Sequence, residues 1–501
     1  MVVLALSTLE RLSGLDATFL YAETANNQLH VTGVLIFDPS TMPGGYSFEK
    51  MKTFMAARLS LSPAFTRKIV NVPFNLSHPV WVDDPDFDLE AHVHRVGCPS
   101  PGGAKELADL AGEISSIPLD RSRPLWDMWF VEGLEGGNVG LVAKMHHATI
   151  DGVSGANLMM HLFDLEPDPG PIETPPPHPA GRGPGELELF GQGLMWRARR
   201  PLLLPATIAA TVKGVARLAL NRNRPGAGTM ATPFTAPPTP FNRNITPHRK
   251  LAFARVPLAD VRAVKDAFGT TVNDVILALC ATAVRRWLID RSALPSRPLI
   301  AGVPVSTRGE ETASFGANLV SAMFVSLATE LDDPVERLLS IHEATKGAKE
   351  EFKAIGADAL QNWLEFSGPR LFGLAMRLYS QMELADRHPP ALNFLVSNVP
   401  GPPIPLYFAG GRLLGLYPLG PILDGMGLNV TVLSYQEEIG FGFVSCRELI
   451  PDLWDMAESV GPALQELSER ATAKRPAARP RTKKDPLAEK ADAGQPEPVV
   501  G

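Results

Sequence analysis

The sequence predicts an α/β protein divided into two domains, and three observations carry that expectation. The chain has 501 residues, enough to bury more than one core. Apolar runs with strand character alternate with stretches of helical periodicity on both sides of the middle. The middle itself, at 166–185 and again at 225–246, is dense in proline and glycine, the composition of irregular connecting chain. The first domain is placed at 1–168, a connecting region at 169–249 and the second domain at 250–470. Residues 471–501, rich in Pro, Ala, Lys and Glu with few large apolar side chains, are expected to be disordered.

In the first domain, Arg11-Leu12-Ser13-Gly14-Leu15-Asp16 leads into an apolar run at 31–37 that reads as a buried strand. A helical stretch follows at 48–59, and 81–96 reads as a turn and a strand. Leu107, Leu110 and Ile114 recur at helical spacing, so 104–115 is expected to be an amphipathic helix. Arg123-Pro124-Leu125-Trp126 enters a strand at 128–132, which pairs across Gly136-Gly137 with the next one. That next stretch, LVAKMHHATIDGVSG at 141–155, organises the chain. On an extended strand Val139, Leu141, Ala143, Met145 and His147 share one face, and Gly140, Val142, Lys144 and His146 share the other. The adjacent histidines therefore point opposite ways. Asp151 and Gly152 follow at a spacing that suits a turn, with Gly152 and Gly155 permitting a tight backbone path. Residues 156–163 then read as a helix. A strand-end histidine with a carboxylate close behind it makes a general-base unit.

The stretch 191–224 contains no acidic residue and carries Arg197, Arg199, Arg200, Lys213, Arg217, Arg222 and Arg224 among apolar side chains. It suits a helix lying on an anionic membrane surface, or equally a linker helix packed against its own protein. The second domain opens with a strand at 251–256 and a helix at 258–268. Thr271-Val272-Asn273-Asp274 begins a long helix running to 288. Thr271 with Asp274 three residues later forms a capping-box pattern, and Asp274 sits at the positive end of the helix dipole. The cap does not account for Asn273, whose amide can point into a site. Strands follow at 298–305, ending in Ser306-Thr307-Arg308, and at 321–327. Helices are expected at 334–355 and 358–382, and a strand at 393–399 closes in SNVPGP, a turn by its chemistry. Strands at 428–435 and 440–444 and an amphipathic helix at 452–467 complete the domain.

Several classes of function find no support. A net charge of −7 gives no reason to expect nucleic acid. Cys98, Cys280 and Cys446 are far apart, so neither a disulfide framework nor a zinc site is indicated, and each reads as a small buried apolar residue in a reducing cytosol. The N-terminus lacks the basic segment of a signal peptide. The longest membrane-like run, 201–212, falls short of the ~20 residues a spanning helix needs. A metal held by His146 and His147 is disfavoured by their opposite faces, and Gly152-Val153-Ser154-Gly155 is not the GxSxG of a serine hydrolase.

Five stretches, RLSGLD at 11–16, PLW at 124–126, HHATIDG at 146–152, ND at 273–274 and SNVPGP at 397–402, occur in the order and spacing of one family. Over roughly 10–470 the chain resembles the bacterial wax ester synthase/acyl-CoA:diacylglycerol acyltransferase family, especially the actinobacterial triacylglycerol synthases. HHxxxDG alone is shared with chloramphenicol acetyltransferase-like enzymes and with condensation domains of peptide synthetases; the full set narrows the resemblance. The first motif reads SGLD where a proline commonly precedes the leucine.

The resemblance implies two chloramphenicol-acetyltransferase-like α/β domains, each a mixed sheet with flanking helices. An active-site tunnel at their interface would admit acyl-CoA from one side and the acceptor alcohol from the other. It implies acyl transfer to diacylglycerol, giving triacylglycerol, or to a fatty alcohol, giving a wax ester. A catalytically silent lipid-binding homologue is the reading from another class, and the intact His146, His147, Asp151 and Asn273 speak against it. No carrier-protein domain is visible, which disfavours a peptide-synthetase role. Carried over residue by residue, His147 is the general base of a direct transfer, a role worth ~10²–10⁴ in rate. Asp151 pairs with Arg308 to fix the loop that orients the histidine, a buried pair costing ~3–5 kcal/mol to break. Asn273 is the first candidate for stabilising the oxyanion, at ~10²–10³ in rate, with Ser397, Asn398 and a backbone N–H near Gly152 as alternatives. Pro124, Leu125 and Trp126 would line the substrate channel or support it, although composition alone favours packing. Acyl-CoA is a co-substrate, and neither a bound cofactor nor a metal is expected. The implied location is the cytoplasm, with peripheral association at the inner face of the plasma membrane or at lipid droplets.

Overall fold

The computed structural model describes residues 10–59, 62–149, 162–168, 170, 183–222, 230–304, 322–355 and 369–474. Among them run the strands β1 (His30–Asp38), β2 (Arg67–Val70), β3 (Val80–Asp83), β4 (Val93–Gly97), β5 (Trp126–Glu132), β6 (Val139–His146) and β7 (Arg249–Pro257). They continue with β8 (Ile300–Pro304), β9 (Ala322–Ser326), β10 (Phe394–Val399), β11 (Tyr407–Phe408), β12 (Gly411–Leu419), β13 (Leu428–Tyr435) and β14 (Glu438–Cys446). Two six-stranded sheets result, in the orders β11-β12-β1-β6-β5-β4 and β7-β14-β13-β10-β8-β9, and β2 with β3 makes a small hairpin. Both large sheets are mixed. In the first, β4 and β5 run parallel while β1, β5 and β6 pair antiparallel; in the second, β8, β10 and β13 are parallel neighbours.

The first sheet carries a helix on each face, with Met51, Met55 and Leu59 of the helix Phe48–Leu59 against Leu35, Phe130 and Leu141. Leu107, Ala108, Ala111 and Ile114 of the helix Ala104–Ser115 are buried at helical spacing and pack on Val34, Val131 and Val142. That helix starts at Gly103, whose N–H is capped by Glu106 Oε2 at 2.9 Å. In the second sheet Phe394, Val396, Val430 and Val432 face the helices Leu258–Phe268, Val272–Asp290, Pro334–Ile355 and Val460–Lys474, and together they form the largest core. The cap at Thr271 is closed in both directions. Asp274 N–H donates to Thr271 Oγ1 at 3.2 Å, and Thr271 N–H donates to Asp274 Oδ2 at 2.9 Å.

Two features differ from the division expected from sequence. Strands β11 and β12, from within 250–470, complete the first sheet by pairing β12 with β1, from Thr32↔Leu419 to Asp38↔Arg412. Strand β12 then lies directly over β14. A Cβ at Gly442 would stand 2.1 Å from the Pro418 carbonyl oxygen, so only glycine permits the approach. The segment 230–248, expected as loose connection, instead packs into the second unit. Phe241 is fully buried, and Asn242 Nδ2 donates to the carbonyls of Asn393 and Gly425, each at 2.8 Å.

Candidate active site

Strand β6 ends at His146, and a 3₁₀ turn, His147–Thr149, leaves it. Main-chain bonds pin the junction. His146 N–H donates to Leu125 O at 2.9 Å and His147 N–H to Leu29 O at 2.8 Å. Both histidines meet the helix Gly14–Ala22. His146 turns toward the end of the helix Gly14–Ala22, while His147 stacks on Phe19 of the same helix with ring centroids 4.0 Å apart.

His146 acts within the protein. Its Nδ1 accepts the Ala148 N–H at 3.0 Å, which leaves Nε2 as the donor, 3.7 Å from Glu23 Oε1 and without a hydrogen-bond partner among the described residues. Glu23 is also held by Arg121, whose Nε donates to Glu23 Oε2 at 2.8 Å. Burial works against the charge on Glu23, but His146 and Arg121 outweigh it and hold the carboxyl at about 2. Glu23 lies beside His146 beyond hydrogen-bond length, and the His146 ring accepts the N–H of the turn that presents His147. Replacing Glu23 with glutamine is expected to lower kcat by ~10–10² with little change in KM, because a misplaced base loses rate before it loses substrate. Steady-state kinetics on the variant check this, and Glu23→Asp should restore part of the loss.

His147 is 6 % exposed and lines a cavity of about 150 Å³ between the two sheets, with room for roughly ten waters. Burial, reinforced by the neighbouring His146, pushes its pKa down to about 4, so the imidazole is neutral at pH 7 and able to accept a proton. Its Nδ1 is buried without a hydrogen-bond partner among the described residues. The cavity is lined by Val31 and Leu35 of β1, Ala143 and Met145 of β6 and Leu416 of β12. From the second sheet it is lined by Leu395 and Ser397 of β10 and by Asn429 and Thr431 of β13. Lys144 reaches its edge but is engaged elsewhere. The ammonium donates to the carbonyls of Ile114 and Ile117 at 3.2 and 2.7 Å, and burial, opposed by Asp127, lowers its pKa to about 8.

Of the residues singled out from sequence, Ser397 lines the cavity, and Asn398 Nδ2 donates to Asn273 Oδ1 at 3.4 Å at the start of the helix Val272–Asp290. Asp274 is buried in its capping box, with His342 Nδ1 2.7 Å from Oδ2. None of Pro124, Leu125 and Trp126 is among the described residues that line the cavity, and the packing alternative describes the last two. Trp126 stacks on His92 at 4.4 Å and donates its indole N–H to Phe65 O, and Leu125 packs behind Phe19 and Leu29. Large apolar groups beside a motif fill the core that holds it. Asp151, Gly152 and Arg308 lie outside the described residues. Glu23 and Thr431 were missed. A lone carboxylate closing the apolar helix Gly14–Ala22 was the available signal for Glu23; Thr431 gave none. Among the described residues no cluster of His, Cys, Asp and Glu could hold a metal ion.

Residues 12–276 match the model of the wax ester synthase/diacylglycerol acyltransferase catalytic domain, and residues 316–468 match the C-terminal domain of the same family. A Mycobacterium tuberculosis protein, provisionally named a diacylglycerol O-acyltransferase, is 44% identical over 466 residues, covering 92% of this chain and 91% of its own. A Mycobacterium bovis protein of the same provisional name is 34% identical, covering 91% and 98%. The solved wax ester synthase/diacylglycerol acyltransferase of Marinobacter aquaeolei VT8 superposes with a TM-score of 0.65 at 29% identity, covering 92% of this chain and 100% of that one. The first condensation domain of the calcium-dependent antibiotic synthetase, 14% identical with a TM-score of 0.55 over 93% and 97%, shares the fold.

Proposed function

The chain belongs to the wax ester synthase/diacylglycerol acyltransferase family, and from that premise we propose that it transfers a long-chain fatty acyl group from acyl-CoA to the free hydroxyl of diacylglycerol. The observation that supports this reading is His147, a neutral imidazole on the wall of an apolar cavity between two sheets. The acceptor oxygen attacks the thioester carbonyl as the imidazole takes its proton. The tetrahedral adduct collapses, the C–S bond breaks, and the coenzyme A thiolate recovers the proton from the imidazolium. Ester and free thiol are the products, and no acyl-enzyme forms. Asn273, Ser397 and Asn398 are the candidate donors to the oxyanion, and Asp151 with Arg308 is the proposed brace of the loop behind the histidine.

A fatty alcohol is the second acceptor to test, since the Marinobacter structure carries both activities in its name. Purified protein with palmitoyl-CoA and either diolein or hexadecanol, with thiol release followed, decides between them. Release with neither acceptor would leave a lipid-binding homologue and overturn the reading.

We place the enzyme in the cytoplasm, peripherally bound to an anionic lipid surface. Among the described residues no single helix is long and apolar enough to cross a membrane. The helix Glu186–Arg222 exposes Leu187, Leu194, Met195, Ile208 and Val212 beside Arg197 and Arg199. Phe74, 71 % exposed and at a φ of 58°, extends this apolar edge by meeting Phe190. Flotation with anionic vesicles is expected to weaken with salt and with charge reversal at Arg197, Arg199 and Arg200. Binding indifferent to both would reject the surface.

A further inference from the structure

One part of the cavity wall is polar without serving the histidine. Asn429 and Thr431 lie on the β13 face that lines the cavity, opposite Val430 and Val432 on the core side, and both are buried. Polar groups set beside fatty chains are unfavourable unless hydrogen-bonded. Asn429 is committed inside the protein. Its Nδ2 donates to Pro421 O at 2.9 Å, which fixes the amide's orientation, and its Oδ1 accepts the Thr431 hydroxyl proton at 3.1 Å. Gly420 makes the room, since a Cβ there would come within 2.6 Å of that Nδ2. With its proton engaged, Thr431 Oγ1 presents only lone pairs to the cavity. Thr32, also on the lining, is shared with Ser115 Oγ on the helix side.

A group offering only lone pairs recognises a donor. A fatty acyl chain has none, the ester groups of a diacylglycerol have none, and the acceptor's hydroxyl gives its proton to His147 in the reaction. The reactant that brings N–H groups close behind the thioester sulfur is coenzyme A, through the amides of its pantetheine arm. We infer that Thr431, oriented by Asn429, accepts a hydrogen bond from a pantetheine amide and so selects coenzyme A thioesters over thioesters that lack one. This rests on acyl-CoA being the acyl donor, as proposed above.

The test compares palmitoyl-CoA with S-ethyl thiopalmitate, which carries the same acyl group and no amide, at fixed diolein. Thr431→Val keeps the shape and removes the acceptor. It is expected to lower kcat/KM for palmitoyl-CoA by about tenfold, mainly through KM, and to leave S-ethyl thiopalmitate unchanged within about twofold. Thr431→Ser should retain the wild-type preference. Equal losses on both donors would show a structural role and overturn the inference, as would an unaltered preference in Thr431→Val. Wild-type protein that releases no thiol from palmitoyl-CoA overturns the acyl-transfer reading instead, so the two failures are told apart.

Discussion

Replacing His147 with alanine is expected to cut thiol release from palmitoyl-CoA and diolein by ~10²–10⁴ while the fold persists. The bond that seats this residue runs from its main-chain N–H to Leu29 O, which alanine keeps, so only the stack on Phe19 is lost. KM should move little, because the ring supplies proton transfer rather than affinity. His147→Gln, which retains a polar side chain of similar reach, should be equally inactive. Undiminished release in either variant, with circular dichroism unchanged, removes the general-base assignment. The depressed pKa shapes the wild-type profile as well. With the free imidazole at about 4, kcat/KM should stay level from neutral pH down to about 5 and fall only below that, where an unburied histidine would already have lost half its activity near 6.5.

Acid should unfold this protein early. Burial and then His146 hold His147 at about 4, and burial, then Lys144 and Arg249, hold His30 at about 3. In the unfolded chain both rings titrate near 6.5, so below that pH the unfolded state binds protons that the folded state refuses. The stabilisation is complete above pH 6.5 and is lost as pH falls through the folded values. Each pKa unit is worth about 1.4 kcal/mol, so the pair removes several kcal/mol between pH 6.5 and 4, against a total of roughly 5–15 for a typical fold. The carboxyl of Glu23, held at about 2, adds a further loss between about pH 4.5 and 2. Thermal melts from pH 8 to 4 check the first part. The Tm should drop steeply below pH 6, and His30→Gln should flatten the slope by about one proton. A Tm that is level to pH 4 would contradict the buried neutral state of both rings.

Local chemistry was legible in the sequence and distant pairing was not. The strand at 139–146 was readable from its alternation, but His147 has already left it for a 3₁₀ turn and meets the same helix as His146. The cap at Thr271 and Asp274 was readable because both partners lie within one helical turn. Glu23 was not, since nothing near it names His146 as its partner. Strand β12 escaped because Gly411, Gly415 and Pro418 break its pattern, and its register is set by a strand almost the whole chain away. Trp126 shows the opposite limit. A motif shared with a family marks its position, but only the packing against His92 and Phe65 shows what it does there.

The return of β12 to the N-terminal sheet has a bearing on biosynthesis. Until the ribosome has delivered residue 419, β1 carries an unsealed edge, and the half already made is an aggregation hazard for a chaperone to shield. A gene cut after residue 249 should therefore give two insoluble fragments when each is expressed alone, and soluble protein only when both are made in one cell.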